Sequence, residues 1–336
     1  MPQSGTEVQP VPAPPRVPDR WCGGYRQSAL ILGGAQLGGY GPAAATPVGP
    51  TVALLRTAAE LGVTHIDTAR AYGASEQRLG AALPALPADT FALVTKVAPL
   101  ATPDGGARAD AGHVAVAVEE SVARSRETLG VERLAVLLHR TADAWLAGGA
   151  AWEQLRRLRA RGVATRIGVA IQRPDELPAV LALPELDYLQ LPCNILDRRW
   201  LAPAVSEALL ARPDLVVSVR SVFLQGLLAA GRAVRWPGLP DADRDELITT
   251  LDRLAVTLGR PGRDELCLAY VRSLPWVTSA VIGAESADQL RQHAALVRGA
   301  PLSAAERDWV RDAVPAVPEE LLDPCRWRTP AAALCP

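Results

Sequence analysis

Short apolar runs alternate along this chain with longer stretches whose apolar residues recur every three or four positions. ALILGG (29–34), VTHID (63–67), FALVTKV (91–97), LAVLLH (134–139), ATRIGVA (164–170), LDYLQL (186–191), LVVSVRS (215–221) and VTSAVIG (277–283) read as strands. Helical patterns follow them at 50–62, 75–83, 112–130, 150–162, 175–183, 202–211, 244–259 with 264–274, and 286–297. Gly62 and Gly130 stand where helices stop, and Ser75 with Glu76 where one starts. The strands are apolar on both faces, as a parallel sheet covered by helices requires. Eight strand–helix units over roughly 270 residues is the count of a (β/α)8 TIM barrel, an α/β fold in one domain. A doubly wound open sheet is the competing arrangement. The pattern divides the chain into a proline-rich extension (1–28), expected to be extended or flexible, the barrel (29–325) and a tail (326–336). The segment 303–325 is expected to pack outside the barrel.

Composition narrows the function. Charge sums to −1 over 336 residues and 49% are apolar, which argues against nucleic-acid binding and against a disordered chain. No apolar run is long enough to span a membrane, and the N-terminus lacks the apolar region of a secretory signal, so a cytoplasmic location is expected. The five cysteines form no CxxC pair and the four histidines are scattered, so no metal site is expected and the cysteines read as free thiols. Of the 35 basic residues, 34 are arginine; Lys96 is the one lysine. In a chain so biased to arginine, a retained lysine is a candidate for chemistry that arginine cannot perform.

A TIM barrel carries its active site at the C-terminal ends of the strands. That rule selects Asp67 at the end of the second strand, Tyr72 in the loop after it, Lys96 at the end of the third and His139 at the end of the fourth. Taken singly, each has a plain explanation: a turn cap, a packed aromatic, a core histidine. Lys96 lies in an apolar strand, where a buried amine needs a partner, and Asp67 on the adjacent strand is the natural one. Together the four form a proton-transfer apparatus. A phenol, with a pKa of about 10, is a weak acid at neutral pH. An ammonium beside it favours the phenolate, a carboxylate holds the ammonium, and a histidine orients a carbonyl oxygen.

These motifs resemble the aldo-keto reductase family. HIDTARAYGASEQRLG (65–80), VTKV, LLHR and VIGAESADQL stand in that family's order and spacing, and the resemblance covers roughly residues 28–300. GGAQLGGYG (33–41), LQLPCNILDRR (189–199) and RSVFLQGLL (220–228) are similar to a bacterial branch met with sugar and secondary-metabolite genes. The resemblance implies a catalytic tetrad of Asp67, Tyr72, Lys96 and His139, with Tyr72 as proton donor, Lys96 and Asp67 tuning it, and His139 orienting substrate. It also implies a nicotinamide cofactor across the barrel mouth. Gln190 would meet the carboxamide. Gly34, Arg220, Ser221, Val222, Leu224, Gln225 and Gly226 would line the nicotinamide and pyrophosphate, and Gly283, Ser286 and Gln289 the adenosine phosphate.

The chain departs from the family pattern in three respects. Ala170 and Ile171 replace a Ser-Asn pair, Arg220 replaces an aromatic residue, and Glu285 stands where a basic residue meets the 2′-phosphate, with Arg291 placed to compensate. NADP(H) is slightly favoured and NAD(H) is the alternative. Arg70, Arg140, Asn194 and Arg198 are the candidate substrate residues, with Arg220 among the mouth arginines; they suit an anionic or sugar-like carbonyl compound, though surface arginines are common in this chain. The activity implied is carbonyl reduction to an alcohol or the reverse dehydrogenation. A non-catalytic regulatory protein of the same fold, similar to potassium-channel β-subunits, and a metal-dependent hydrolase are the competing classes.

Overall fold

The computed structural model covers residues 16–39, 48–100 and 110–327. Its first two strands, β1 (Asp19–Cys22) and β2 (Tyr25–Ser28), pair antiparallel around Gly23-Gly24, both at positive φ. Eight parallel strands follow: β3 (Leu30–Gly33), β4 (His65–Asp67), β5 (Ala92–Lys96), β6 (Leu134–Leu138), β7 (Ala164–Ala170), β8 (Tyr188–Pro192), β9 (Val216–Arg220) and β10 (Ser279–Gly283). They close in sequence order, β10 pairing with both β3 and β9. This is the (β/α)8 barrel that the alternation predicts.

Alternation along each strand separates two cores. Outward residues such as Leu32, Ile66, Val136, Ile167, Leu189 and Val217 pack against the helices in one large cluster. Inward residues Val94, Ala135, Leu137, Tyr188 and Val216 form a small second cluster with Cys22 and Tyr25 of the hairpin. Continuing that inward register by two residues brings Lys96 after Val94, His139 after Leu137 and Gln190 after Tyr188. The same period therefore builds the core below and the polar mouth above.

The hairpin corrects the expectation that residues 1–28 are an extended lead-in. Cys22 and Tyr25 insert among inward barrel residues, Tyr25 Oη lies 2.5 Å from His65 Nε2, and the Arg166 guanidinium stacks 3.9 Å over the Tyr25 ring. Four-residue strands are too short to announce themselves against a proline-rich background. Residues 1–15 lie outside the described residues. At the other end, buried Trp327, whose indole N–H donates to the Leu321 carbonyl, carries the packed chain two residues past 325. Helix Ala304–Ala313, opened by the Ser303–Glu306 capping box, packs outside the barrel as expected. The chain then returns toward the mouth, where Asp323 accepts from the Gln172 amide at 3.2 Å.

Cys22, Cys193 and Cys267 are buried free thiols. Cys325 is disulfide-bonded, which corrects the expectation of free thiols there; spacing alone does not show which cysteines meet. Cys335 lies outside the described residues.

Candidate active site

At the mouth, β4, β5, β6 and the loop after β4 bring the four candidate residues together. Lys96 Nζ donates to both Asp67 oxygens (2.8 and 2.9 Å) and to the Thr68 carbonyl (3.0 Å). Both side chains are almost fully buried. The ammonium lies 5.0 Å from the Tyr72 ring centroid, and the His139 ring stands edge-on to Tyr72 at 6.5 Å. Burial opposes the Lys96 charge, but the Asp67 charge and hydrogen bonds, together with Tyr72, outweigh it and hold the ammonium above its usual range. Burial, then the positive charges of Lys96, Arg220 and Arg140, pulls His139 down to about 3, so the imidazole is neutral at physiological pH. Its Nδ1 is buried without a partner. A phenol, a fixed cation and a neutral imidazole thus lie side by side, a set suited to an oxygen that gains and loses charge.

The profile of the Aldo/keto reductase family matches residues 29–313. The chain belongs to the aldo-keto reductase family. It is similar to the D-threo-aldose 1-dehydrogenase of a Pseudomonas species, with 30% identity over 227 residues, 58% of this chain and 68% of that protein. It also resembles the solved structure of an aldo-keto reductase from Bacillus halodurans in its holo form, with a TM-score of 0.71 and 23% identity, covering 92% of this chain and all of that one.

Around these four candidate residues, the remaining sequence-selected residues fall into distinct places. Gln190 is fully buried and donates to Asp67 Oδ1 at 2.8 Å, so it helps to fix that carboxylate. Arg220, half-buried at the end of β9, donates to the Ile171 carbonyl (3.3 Å) and to Gln172 Oε1 (2.7 Å). Two of the departures in sequence are therefore one arrangement: the guanidinium that replaces the aromatic reaches the segment that lost Ser-Asn. Ser221, Leu224, Gln225 and Gly226 all have positive φ, between 46° and 85°, while the side chains of Val222 and Leu224 anchor the loop in the core. Three non-glycine residues in that region store strain, a mark of a functional loop, and such turns can gather backbone N–H groups into an anion cradle.

Gly34 is required by close approach, and Gly283 makes room for the terminal amide of Gln36. A Cβ on Gly34 would stand 2.8 Å from Ser75 Oγ, and one on Gly283 would stand 2.1 Å from Gln36 Oε1. Ser286 caps the helix Ala287–Val297 by accepting from Gln289 N, and Gln289 Oε1 accepts in turn from Glu285 N. Arg291 turns to Asp288 (2.7 Å) and Thr57 Oγ1 (3.3 Å).

The candidate substrate residues are mostly tied to the scaffold. Arg70 pairs with buried Glu76, which also accepts from Thr95 Oγ1. Arg198 donates to the Val314 carbonyl, and buried Asn194 accepts from Leu196 N within its own loop. Arg140 contributes positive charge near His139. Sequence reading missed Gln172, Asp323 and Glu76. Gln172 directly follows Ile171 and could have been found by extending that motif one residue, whereas the Asp323 contact, 151 residues away, had no local signal. Residues 40–47, including part of GGAQLGGYG, lie outside the described residues. Among the described residues no cluster of His, Cys, Asp and Glu could hold a metal ion, and no helix is long and apolar enough to cross a membrane.

Proposed function

We propose that the protein is a nicotinamide-dependent oxidoreductase that interconverts the carbonyl and alcohol forms of a sugar-like small molecule, with Tyr72 moving the proton. The Asp67–Lys96–Tyr72 cluster beside a neutral His139 carries this reading. In reduction, Tyr72 gives its proton to the carbonyl oxygen; in oxidation, it removes the hydroxyl proton. Lys96 holds positive charge beside the phenol, Asp67 fixes Lys96, and His139 orients the substrate oxygen through a neutral hydrogen bond. The bound cofactor supplies or accepts the hydride. The loop 221–226, with Ser221, Leu224, Gln225 and Gly226 at positive φ, suits such a dinucleotide.

The relative's name favours oxidation of an aldose at C1 as the second reading. A neutral sugar also fits the arginines better than an anion does, because Arg70 and Arg198 are already engaged. Toward the cofactor, the slight sequence preference for NADP(H) gives way to NAD(H). Glu285 would repel a 2′-phosphate, and Arg291 is held toward Asp288 and Thr57. Fluorescence titration is expected to give tighter binding of NADH than NADPH, and Glu285→Arg is expected to narrow or reverse the gap; tighter NADPH binding by the native chain refutes the assignment.

The test of function follows nicotinamide absorbance in both directions with aldehydes, ketones and aldoses. Tyr72→Phe is expected to lose about 100-fold or more of kcat while retaining cofactor binding. Full activity in Tyr72→Phe would remove the mechanism.

A further inference from the structure

Val216 points into the barrel, and the period of two carries that inward face through Ser218 to Arg220, the last residue of β9. On β7 the inward register of Gly168 and Ala170, which face Tyr188 and Gln190, continues to Gln172. The two long side chains meet across the end of β8, the strand between them. Arg220 is held there through one nitrogen: Nη2 donates to Gln172 Oε1 (2.7 Å) and to the Ile171 carbonyl (3.3 Å). Gln172 is held in turn. Its Nε2 donates to Asp323 (3.2 Å) and its backbone N–H to Glu176 (2.9 Å). Asp323 sits between buried Leu322 and buried Pro324. A carboxylate only accepts, so Asp323 sets the Gln172 nitrogen toward itself and leaves the oxygen for Arg220.

The other side of the guanidinium is open. Among the described residues Nη1 and Nε have no hydrogen-bond partner, and neither is sealed from solvent. For an inward residue at the last position of a strand, that solvent is the water of the mouth. Arg220 lies within electrostatic reach of the candidate residues there. Its charge helps to lower His139, while Tyr72 and Asp67 oppose the burial that lowers Arg220 itself.

The way Arg220 is held selects what it can grip. A guanidinium takes a carboxylate or phosphate through two parallel N–H groups, along its Nη1–Nη2 or its Nε–Nη2 edge. Both edges include Nη2, which already serves two acceptors. Nη1 and Nε remain as single donors, each suited to one oxygen at a time. A hydroxyl oxygen accepts such a bond, and a neutral hydroxyl costs far less to bring out of water than a carboxylate does.

We propose that Arg220 is a specificity residue for hydroxylated carbonyl compounds, with Nη1 and Nε donating to a substrate hydroxyl while the carbonyl meets Tyr72 and His139. Gln172 and Asp323 are its positioning residues, so the C-terminal segment acts on specificity without touching the substrate. This rests on the carbonyl–alcohol reading of the site and narrows its substrate to one with a hydroxyl, and no carboxylate, near the reacting carbon.

The test compares glyceraldehyde, propanal and glyoxylate by nicotinamide absorbance. In the native chain kcat/KM for glyceraldehyde is expected to exceed that for propanal by about tenfold or more, and to exceed that for glyoxylate. Arg220→Met keeps the length and removes the donors, and should bring the glyceraldehyde-to-propanal ratio close to unity. The ratio cancels any loss common to both substrates, including a loss of cofactor binding. An unchanged ratio in Arg220→Met, or a native preference for glyoxylate, would overturn the assignment. Asp323→Ala should lower the same ratio through KM rather than kcat, and Asp323→Asn, which keeps an acceptor for Gln172, should retain it. Equal ratios in the native chain and Asp323→Ala would overturn the positioning role. Saturation-transfer NMR of D-xylose with NADH present reads the site without turnover. A signal in the native chain that Arg220→Met loses is expected; no signal, or an equal one in both, overturns the hydroxyl site. If the native chain turned over no carbonyl compound, the oxidoreductase reading would fail and the NMR comparison would still decide the site.

Discussion

Lys96 is held by Asp67 and the Thr68 carbonyl under the ring of Tyr72, with 1% of its surface exposed. A guanidinium is wider, planar and cannot take that compact position without displacing Asp67 or Tyr72. Lys96→Arg, mild on a surface, is expected here to lower kcat/KM by about 100-fold or more, measured in the same absorbance assay. Near-native turnover would show that positive charge alone suffices. His139 makes a different residue-level claim. Because its imidazole stays neutral until about pH 3, the kcat profile should show no His139-dependent limb between pH 5 and 8. A limb near pH 6.5 that disappears in His139→Gln would contradict that.

At the scale of elements, β7 and β8 approach so closely at Gly168 that a Cβ there would stand 1.9 Å from the Tyr188 carbonyl and 2.7 Å from Leu137 Cδ2. The carbonyl belongs to the barrel ladder and cannot step aside. Gly168→Ala is expected to destabilise the fold by about 1–3 kcal/mol, read as a lower Tm. An unchanged Tm would mean that the ladder yields at that point. The loop after β9 shows the opposite economy. It spends backbone strain at Ser221, Leu224 and Gln225 while burying Val222 and Leu224, so the core holds a conformation the loop would not keep alone.

Across the whole molecule, the hairpin closes one end of the barrel and the returning C-terminal segment reaches the other. Two buried histidines mark these levels, His65 against Tyr25 at the floor and His139 at the mouth. Burial first, then neighbouring arginines, lowers His65 to about 4; burial, Lys96 and two arginines lower His139 to about 3. The unfolded chain protonates both near 6.5. Between about pH 6.5 and 3 the unfolded state therefore binds more protons, so stability falls as pH falls through that window. Calorimetric Tm should drop from pH 7 to pH 4.5, and His65→Gln should flatten the slope; a steeper slope in that variant would contradict neutral burial.

The sequence by itself determined the eight strand–helix units, their order, and the four candidate residues, three at adjacent strand ends and Tyr72 in the loop after the first of them. Each is written locally, in a period of two or 3.6 and in a residue's place within its own strand. The tertiary structure decided what those residues touch. The hairpin was illegible because its four-residue strands become a floor only where His65, Arg166 and the inward barrel residues receive them. Arg220 read as a lost aromatic until closure set it against Ile171 and Gln172. Arg70 and Arg198 read as candidates for substrate until folding gave them Glu76 and the Val314 carbonyl. A side chain's charge is fixed by its type, but its partners come from closure of the barrel, which joins positions scores of residues apart. Those partners are what separate a proton-transfer site from a row of polar residues.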